Sequence, residues 1–315
     1  MKTINVLIPT YNEEENVIPL TQAIEEQFEN YLSGYDYNIT YIDNDSADTT
    51  RQKIQALCEK DTKVRAIFNA KNFGQFNSPF YGLCQMDGDC VITMCADFQD
   101  PVSLIPRLVA EWEKGYKIVC AIKTASRENP VMRLFRNIYY DMIKKMSSIE
   151  QIKNFTGTGL YDAGFIEVLR KLDDPEPFLR GIVAELGYKR KDITYTQEKR
   201  KAGHTHNNWY SLYDAAMLSF TSYTKIGMRL ATIFGSFVSI ASVIVAIVYL
   251  IMKLTNWYEF PAGNAPIIIG VFLLGGMQIF FIGILGEYIL SINSRVMKRP
   301  LVIEEKRINF DLPEK

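Results

Sequence analysis

Short apolar runs and amphipathic stretches alternate over the first 121 residues of this 315-residue chain. Ile4 to Ile8, Asn38 to Ile42, Val64 to Phe68, Cys90 to Met94 and Lys117 to Ala121 have the length and β-former content of strands. Between them, four stretches carry helical spacing: Glu13 to Phe28, a segment capped by Ser46 and running to about Glu59, Ser78 to Met86, and Val102 to Lys114. Repeated βα units of this length predict an α/β architecture, a mostly parallel sheet with helices on both faces.

The pattern then changes. Asn129 to Ser148 sets Met132, Phe135, Ile138, Tyr139, Met142 and Met146 on one helical face, with Arg127, Arg133, Arg136, Lys144 and Lys145 around it. Such a helix suits an anionic membrane surface, although packing against a core produces the same face. A second amphipathic helix, at about 209–221, presents Trp209, Tyr213, Ala216, Met217 and Phe220. Beyond it, Leu230 to Met252 and Ala262 to Gly286 contain no charged residue, and each is long enough to cross a hydrocarbon core of about 30 Å. Two membrane spans are therefore expected, and Gly275, Gly276 and Gly283 would let them approach closely. Lys225 and Arg229 precede the first and Arg295, Lys298 and Arg299 follow the second, which puts both termini in the cytoplasm. The chain divides into a cytoplasmic α/β domain at 1–226, a hairpin of spans at 227–293 and a cytoplasmic tail at 294–315.

Net charge is -1, so no basic field points to nucleic acid. Five cysteines, at 58, 84, 90, 95 and 120, show no C-x-x-C spacing and fit reduced thiols of a cytosolic domain. The N-terminal apolar run, Ile4 to Pro9, is too short for a cleavable leader.

Candidate chemistry centres on C-V-I-T-M-C-A-D-F-Q-D-P, residues 90–101. A strand ending in Asp97, Gln99 and Asp100 presents hard oxygens where open α/β sheets bind ligands, a place suited to a divalent cation and a phosphorylated substrate. Asp100 is equally well placed to cap the following helix. The first βα turn reads Pro9-Thr10-Tyr11-Asn12-Glu13 rather than G-x-G-x-x-G, and no Walker A loop occurs, which removes the dinucleotide and P-loop readings. Instead Tyr11 and Glu13, then Asp43, Asn44 and Asp45, then Asn72 and Gly74, then Asp97 and Gln99 follow successive strands. A ring for a base, carboxylates for base and ribose, and a metal for a diphosphate make a nucleotide-sugar site, although each residue type also favours turns.

The segments I-P-T-Y-N-E-E-E-N-V, Y-I-D-N-D-S-A-D-T-T, N-F-G-Q and A-D-F-Q-D-P resemble those of the family 2 inverting glycosyltransferases of GT-A fold. More narrowly, the chain resembles the polyprenyl-phosphate glycosyltransferases, of the bactoprenol glucosyltransferase and dolichol-phosphate mannose synthase type, over nearly its whole length. The resemblance implies donor contacts at Pro9, Tyr11, Glu13 and Asp43, a UDP-sugar or GDP-sugar donor, and Mg2+ or Mn2+ held by Asp97 and Gln99. It implies a catalytic role for Asp97, and Asp100 and Arg200 join it as catalytic candidates. Where the family has D-x-D this chain has Cys95-Ala96-Asp97. A thiol is a poor ligand for magnesium, so the metal is held more weakly or another oxygen substitutes.

Acceptor phosphate is assigned to Arg200, in R-K-A-G-H-T-H, with Arg127 and Arg133 or Arg136. His204 and His206 stand where the family's basic residues are, and are either phosphate contacts or solvated loop residues. The family's acid in G-D-F-R-L is missing from N-F-T-G-T-G-L-Y-D, though Asp162 lies nearby. A phosphate monoester has its second pKa near 6, so a lipid phosphate can attack without a general base. The resemblance further implies an inner-membrane, multi-pass homotetramer, with a strand at Leu301 to Ile303 docking on a neighbouring subunit. The expected reaction is inverting transfer of one hexose to undecaprenyl phosphate. A silent scaffold and a processive polysaccharide synthase are the alternatives; the second usually carries Q-x-x-R-W and more spans.

Overall fold

The computed structural model describes residues 1–125, 152–172, 174–198, 200, 217–218, parts of 233–255, and 264–310 except 298. The expected amphipathic helix at 129–148 and nearly all of that at 209–221 lie outside these residues, as do Arg127, Arg133, Arg136, His204 and His206.

The N-terminal alternation folds as its periodicity requires. Strands β1 (Thr3–Thr10), β2 (Asp36–Asp43), β3 (Val64–Asn69) and β4 (Cys90–Thr93) alternate with helices α1 (Val17–Tyr31), α2 (Thr50–Lys60), α3 (Gly74–Gln85) and α4 (Leu104–Glu113). Strand β5 (Ile118–Ala125) follows, then β6 (Phe155–Asp162), α5 (Ala163–Leu172), α6 (Leu179–Glu185), β7 (Arg190–Thr196), α7 (Asn264–Val296) and β8 (Glu304–Ile308). All eight strands join one sheet in the order β7-β5-β6-β4-β1-β2-β3-β8.

Parallel pairing runs through β4-β1-β2-β3, so the ends of these strands open on one edge. Beyond β4 the sheet is mixed rather than continuing in parallel: β6 lies antiparallel between β4 and β5, and β7 runs parallel to β5. Because β1 is central it is buried on both faces. Ile4, Val6 and Ile8 pack with α1, α2 and α4 on one side, and Leu7 packs with Ile42, Ile67, Phe80 and Phe165 on the other.

Two expectations shift in place. Ser46 does not cap α2, which begins at Thr50; its hydroxyl instead donates to Asp43 Oδ1. The tail strand is Glu304–Ile308, just beyond Leu301 to Ile303, and it runs antiparallel to β3 of the same chain. That pairing blunts an otherwise open sheet edge. Arg51 secures it, reaching Glu305 at 2.6 Å and Asp43 at 3.3 Å, so the tail and the end of β2 share one guanidinium.

Of the two expected spans, 230–252 is described only in part, and most of 262–286 falls in α7, a 33-residue helix about 50 Å long. Among the described residues no helix is long and apolar enough to cross a membrane. Ile267, Val271, Ile279, Phe280, Ile282, Ile289 and Leu290 on α7 are all exposed.

Asp162 sits away from the open edge, opposite Cys90 at the start of β4. Trp112 Nε1 donates to it at 2.8 Å and Lys117 Nζ at 2.9 Å. Burial alone would raise its pKa, but these hydrogen bonds outweigh burial and hold it below the usual carboxylate range. Its stabilising effect is therefore present above the unfolded value and lost as pH falls through the lower folded one. Asp162→Asn is expected to cost about 1–2 kcal/mol in denaturant melts at pH 7. The gap from wild type should close as pH drops below about 4.

Candidate active site

The strand ends of β1 and β2 are laced together before they reach any ligand. Asn12, in the left-handed region at φ 55°, donates its N–H to Ser46 Oγ at 2.8 Å, and its side-chain oxygen accepts from Ala47 N–H at 2.8 Å. Asparagine tolerates this conformation where most residues do not. The turn leaves Tyr11 and Glu13 facing a cavity of about 660 Å3 at the carboxyl ends of the parallel strands. That location is where open α/β sheets hold ligands.

Pro9, Tyr11, Glu13, Asn72, Gly74, Asp97 and Arg200 all line the cavity, from four separate segments. Asp43 does not. It is fully buried beneath the floor, taking hydrogen bonds from the Ser46 N–H and hydroxyl and the Arg51 ion pair. Burial raises its pKa despite those partners. Asn44 stands in front of it, donating to Asn72 Oδ1 at 2.8 Å and accepting from Phe73 N–H at 2.9 Å, which fixes the entry to α3.

At the centre one cation holds two carboxylates. Arg200 Nη2 lies 3.0 Å from Asp97 Oδ2 and 3.3 Å from Glu13 Oε1, and Nε donates to Asp97 Oδ2 at 3.0 Å. Asn16 Nδ2 donates to the other Glu13 oxygen at 2.6 Å. Burial pushes the Glu13 pKa up, and the Asp97 charge adds to that, while Asn16 and Arg200 pull it down. Asp97 is aimed by its own loop: Phe98 adopts φ 59°, and Gln99 N–H donates to Asp97 Oδ1 at 3.1 Å, leaving Oδ2 toward Arg200.

Asp100 lies below this surface, 1% exposed, rather than in the cavity. Thr158 Oγ1 donates to it at 2.6 Å, Tyr195 OH at 2.5 Å and Cys95 N–H at 3.3 Å. Its carboxylate therefore ties β6 and β7 to the Cys95–Asp97 segment, the geometry of a positioning residue. The Cys95 thiol is exposed to the cavity, and desolvation by the surrounding walls, then the charges of Asp100 and Asp97, push its pKa well above the ordinary value. Each of these effects favours the neutral thiol over the thiolate.

The donor set suits a hard cation in part. Asp97 and Glu13 present carboxylates to one cavity, and magnesium-type sites often need only one or two, with substrate phosphates completing the shell. Gln99 contributes less, because its side-chain oxygen already accepts from Gln197 Nε2 at 2.9 Å. Among the described residues no cluster of three or more His, Cys, Asp or Glu assembles. Glu13, Asp97, Arg180 and Arg200 sum to zero charge in the described lining. A diphosphate therefore finds no net positive field unless a cation arrives with it.

Several lining residues escape sequence reasoning. Thr156, Gly157 and Thr158 come from β6, and Pro177, Leu179 and Arg180 from the segment that opens α6. Only the proline spacing around Phe178 marks that second segment as a rigid corner. Asp162, the acid nearest in sequence to the missing family position, is at the other end of β6.

Residues 5–172 match the family described as Glycosyl transferase family 2. The putative glycosyltransferase CsbB of Bacillus subtilis is 32% identical over 313 residues, covering 99% of this chain and 94% of that protein. The SfII prophage-derived bactoprenol glucosyl transferase of Shigella flexneri is 30% identical over 304 residues, 96% of this chain and 97% of that protein. Among solved structures, glucosyl-3-phosphoglycerate synthase from Mycobacterium tuberculosis is similar at 17% identity and a TM-score of 0.46, over 70% of this chain and 76% of that one.

Proposed function

The chain belongs to glycosyl transferase family 2 and is a glycosyltransferase, and from that premise we propose that it moves one hexose from a nucleotide-diphosphate sugar, UDP-sugar favoured, to a polyprenyl phosphate. The observation that carries the reading is the Glu13–Arg200–Asp97 arrangement at the mouth of the parallel strands, two carboxylates suited to a divalent cation beside a guanidinium suited to phosphate oxygens. The bactoprenol glucosyl transferase, similar along nearly the whole length of both chains, supports the lipid acceptor. So does α7, whose exposed apolar side chains would be costly in water and are at ease in a bilayer. With spans near 230–252 and 262–286, the catalytic domain and both termini would face the cytoplasm at the inner membrane.

Each residue then has a task. Tyr11 and Pro9 offer an apolar floor for the base, while Asn72 and Asn44 face the donor with amide groups held by the strand-end network. A divalent cation, Mg2+ or Mn2+, held by Asp97 with Glu13 or Gln99 beside it, would supply charge stabilisation for the departing diphosphate. Arg200, which holds Glu13 and Asp97, would turn guanidinium N–H groups to phosphate oxygens if a cation shared those carboxylates. Inversion follows from a single displacement in which an oxygen of the lipid phosphate attacks the anomeric carbon opposite the leaving diphosphate. The chain contributes positioning and electrostatics, since that oxygen is largely ionised at neutral pH.

The test is direct. Full-length protein incubated with undecaprenyl phosphate, a divalent cation and a panel of radiolabelled nucleotide sugars should carry label from one donor into the organic phase. Label that stays wholly aqueous, or enters a water-soluble polymer, would count against the reading.

A further inference from the structure

Resting on the lipid-phosphate reading above, we propose that Arg180, with the apolar shelf of Phe76, Pro177 and Leu179, forms the subsite that seats the phosphate and first isoprene unit of the acceptor. The cavity lining carries two unlike groups of residues. In one, Glu13, Asp97 and Arg200 form a closed network of charge. In the other, Arg180 is half-buried and makes no hydrogen bond or ion pair among the described residues. A half-buried guanidinium facing a cavity without a carboxylate partner is poised for an anion that arrives with the ligand.

The setting says which anion. Two anions meet in this reaction, a diphosphate and a phosphate monoester, and the group around Asp97 already answers to the first. Around Arg180 the surface is greasy. Phe76 packs edge-on against Phe178 at 5.8 Å between centroids, and Leu179 is half-buried and Pro177 buried beside it, all but Phe178 lining the cavity. A cation set in aromatic and aliphatic surface matches an anion that carries a hydrocarbon tail, and matches a sugar nucleotide poorly. The corner is also restricted, because proline at 175 and 177 limits the backbone that leads into α6 and carries Arg180.

The experiment separates acceptor from donor. In full-length protein, with farnesyl phosphate as the varied acceptor, Arg180→Gln should raise acceptor KM by about 10- to 100-fold, the worth of a charge-assisted hydrogen bond. UDP affinity measured by titration with Mn2+ should stay within about twofold, and Arg180→Lys should recover part of the loss. Leu179→Ser should raise KM for farnesyl phosphate while leaving weak competition by inorganic phosphate unchanged. Loss of UDP affinity with unchanged acceptor KM would assign Arg180 to the diphosphate and overturn the subsite. An unchanged KM in folded Arg180→Gln would overturn it too, as would a fall in thermal midpoint and kcat that Arg180→Lys shares in full. A wild-type protein that glycosylates no isoprenyl phosphate would sink the lipid-acceptor reading itself, a result distinct from these.

Discussion

Asp97→Asn is expected to lower kcat by about 100- to 1,000-fold while the thermal midpoint moves little. The change keeps the shape of the side chain and its acceptor for Gln99 N–H, so the loop that aims it can persist. What disappears is the negative charge that Arg200 contacts through two nitrogens and that a cation would need. Glu13 is then the remaining carboxylate on Arg200, and its pKa falls as the repulsion from Asp97 is relieved. Comparing kcat and nucleotide affinity at several Mn2+ concentrations checks this. A scaffold with a silent cleft would show wild-type partner binding and no activity to lose.

The second large effect is on stability. Gly159→Ala is expected to cost about 3 kcal/mol or more, or to prevent folding. Strand β6 passes so close to β5 that a Cβ at 159 would stand 2.3 Å from the Val119 carbonyl oxygen. A main-chain oxygen has no rotamer to retreat to, so the ladder itself must move. Gly159 pairs with Thr93 across β4, and Thr93 Oγ1 donates to Gly157 O at 2.6 Å, so the damage reaches the cavity wall. Donor affinity should fall along with the melting temperature. Gly34→Ala is the control: nothing lies within 4 Å of its added methyl, and its stability should stay within about 0.5 kcal/mol of wild type.

The same crowding explains why part of the fold is hard to read along the chain. Strands β1 to β4 announce themselves because a strand buried on both faces is largely apolar, as Ile4, Val6, Leu7 and Ile8 are around the buried Asn5. Strand β6 reads Phe-Thr-Gly-Thr-Gly-Leu-Tyr-Asp, and its two glycines, Gly159 required by close backbone approach and Gly157 by a φ of 102°, mimic the signature of a loop. Missing β6 also hides the reversal of direction that carries Asp162 to the far end of the sheet. Acidic residues at strand ends are visible as a set, but which of them faces solvent is not. Asp97 and Glu13 reach the cavity, whereas Asp43 and Asp100 are consumed beneath it by Ser46, Arg51, Thr158 and Tyr195. Those partners come from distant segments, and only folding shows that they converge. Arg180 is silent for a related reason, since a lone arginine after a proline-rich corner carries no pattern until the cavity closes around it.

The most direct test of the central claim is the structure of the product. Lipid extracted after reaction of the full-length protein with its sugar nucleotide and undecaprenyl phosphate can be resolved by proton and phosphorus NMR. The account predicts one hexose joined through a single phosphodiester to the polyprenyl chain, its anomeric configuration opposite to that of the donor. A retained configuration, a diphosphate linkage or a chain of several sugars would contradict it.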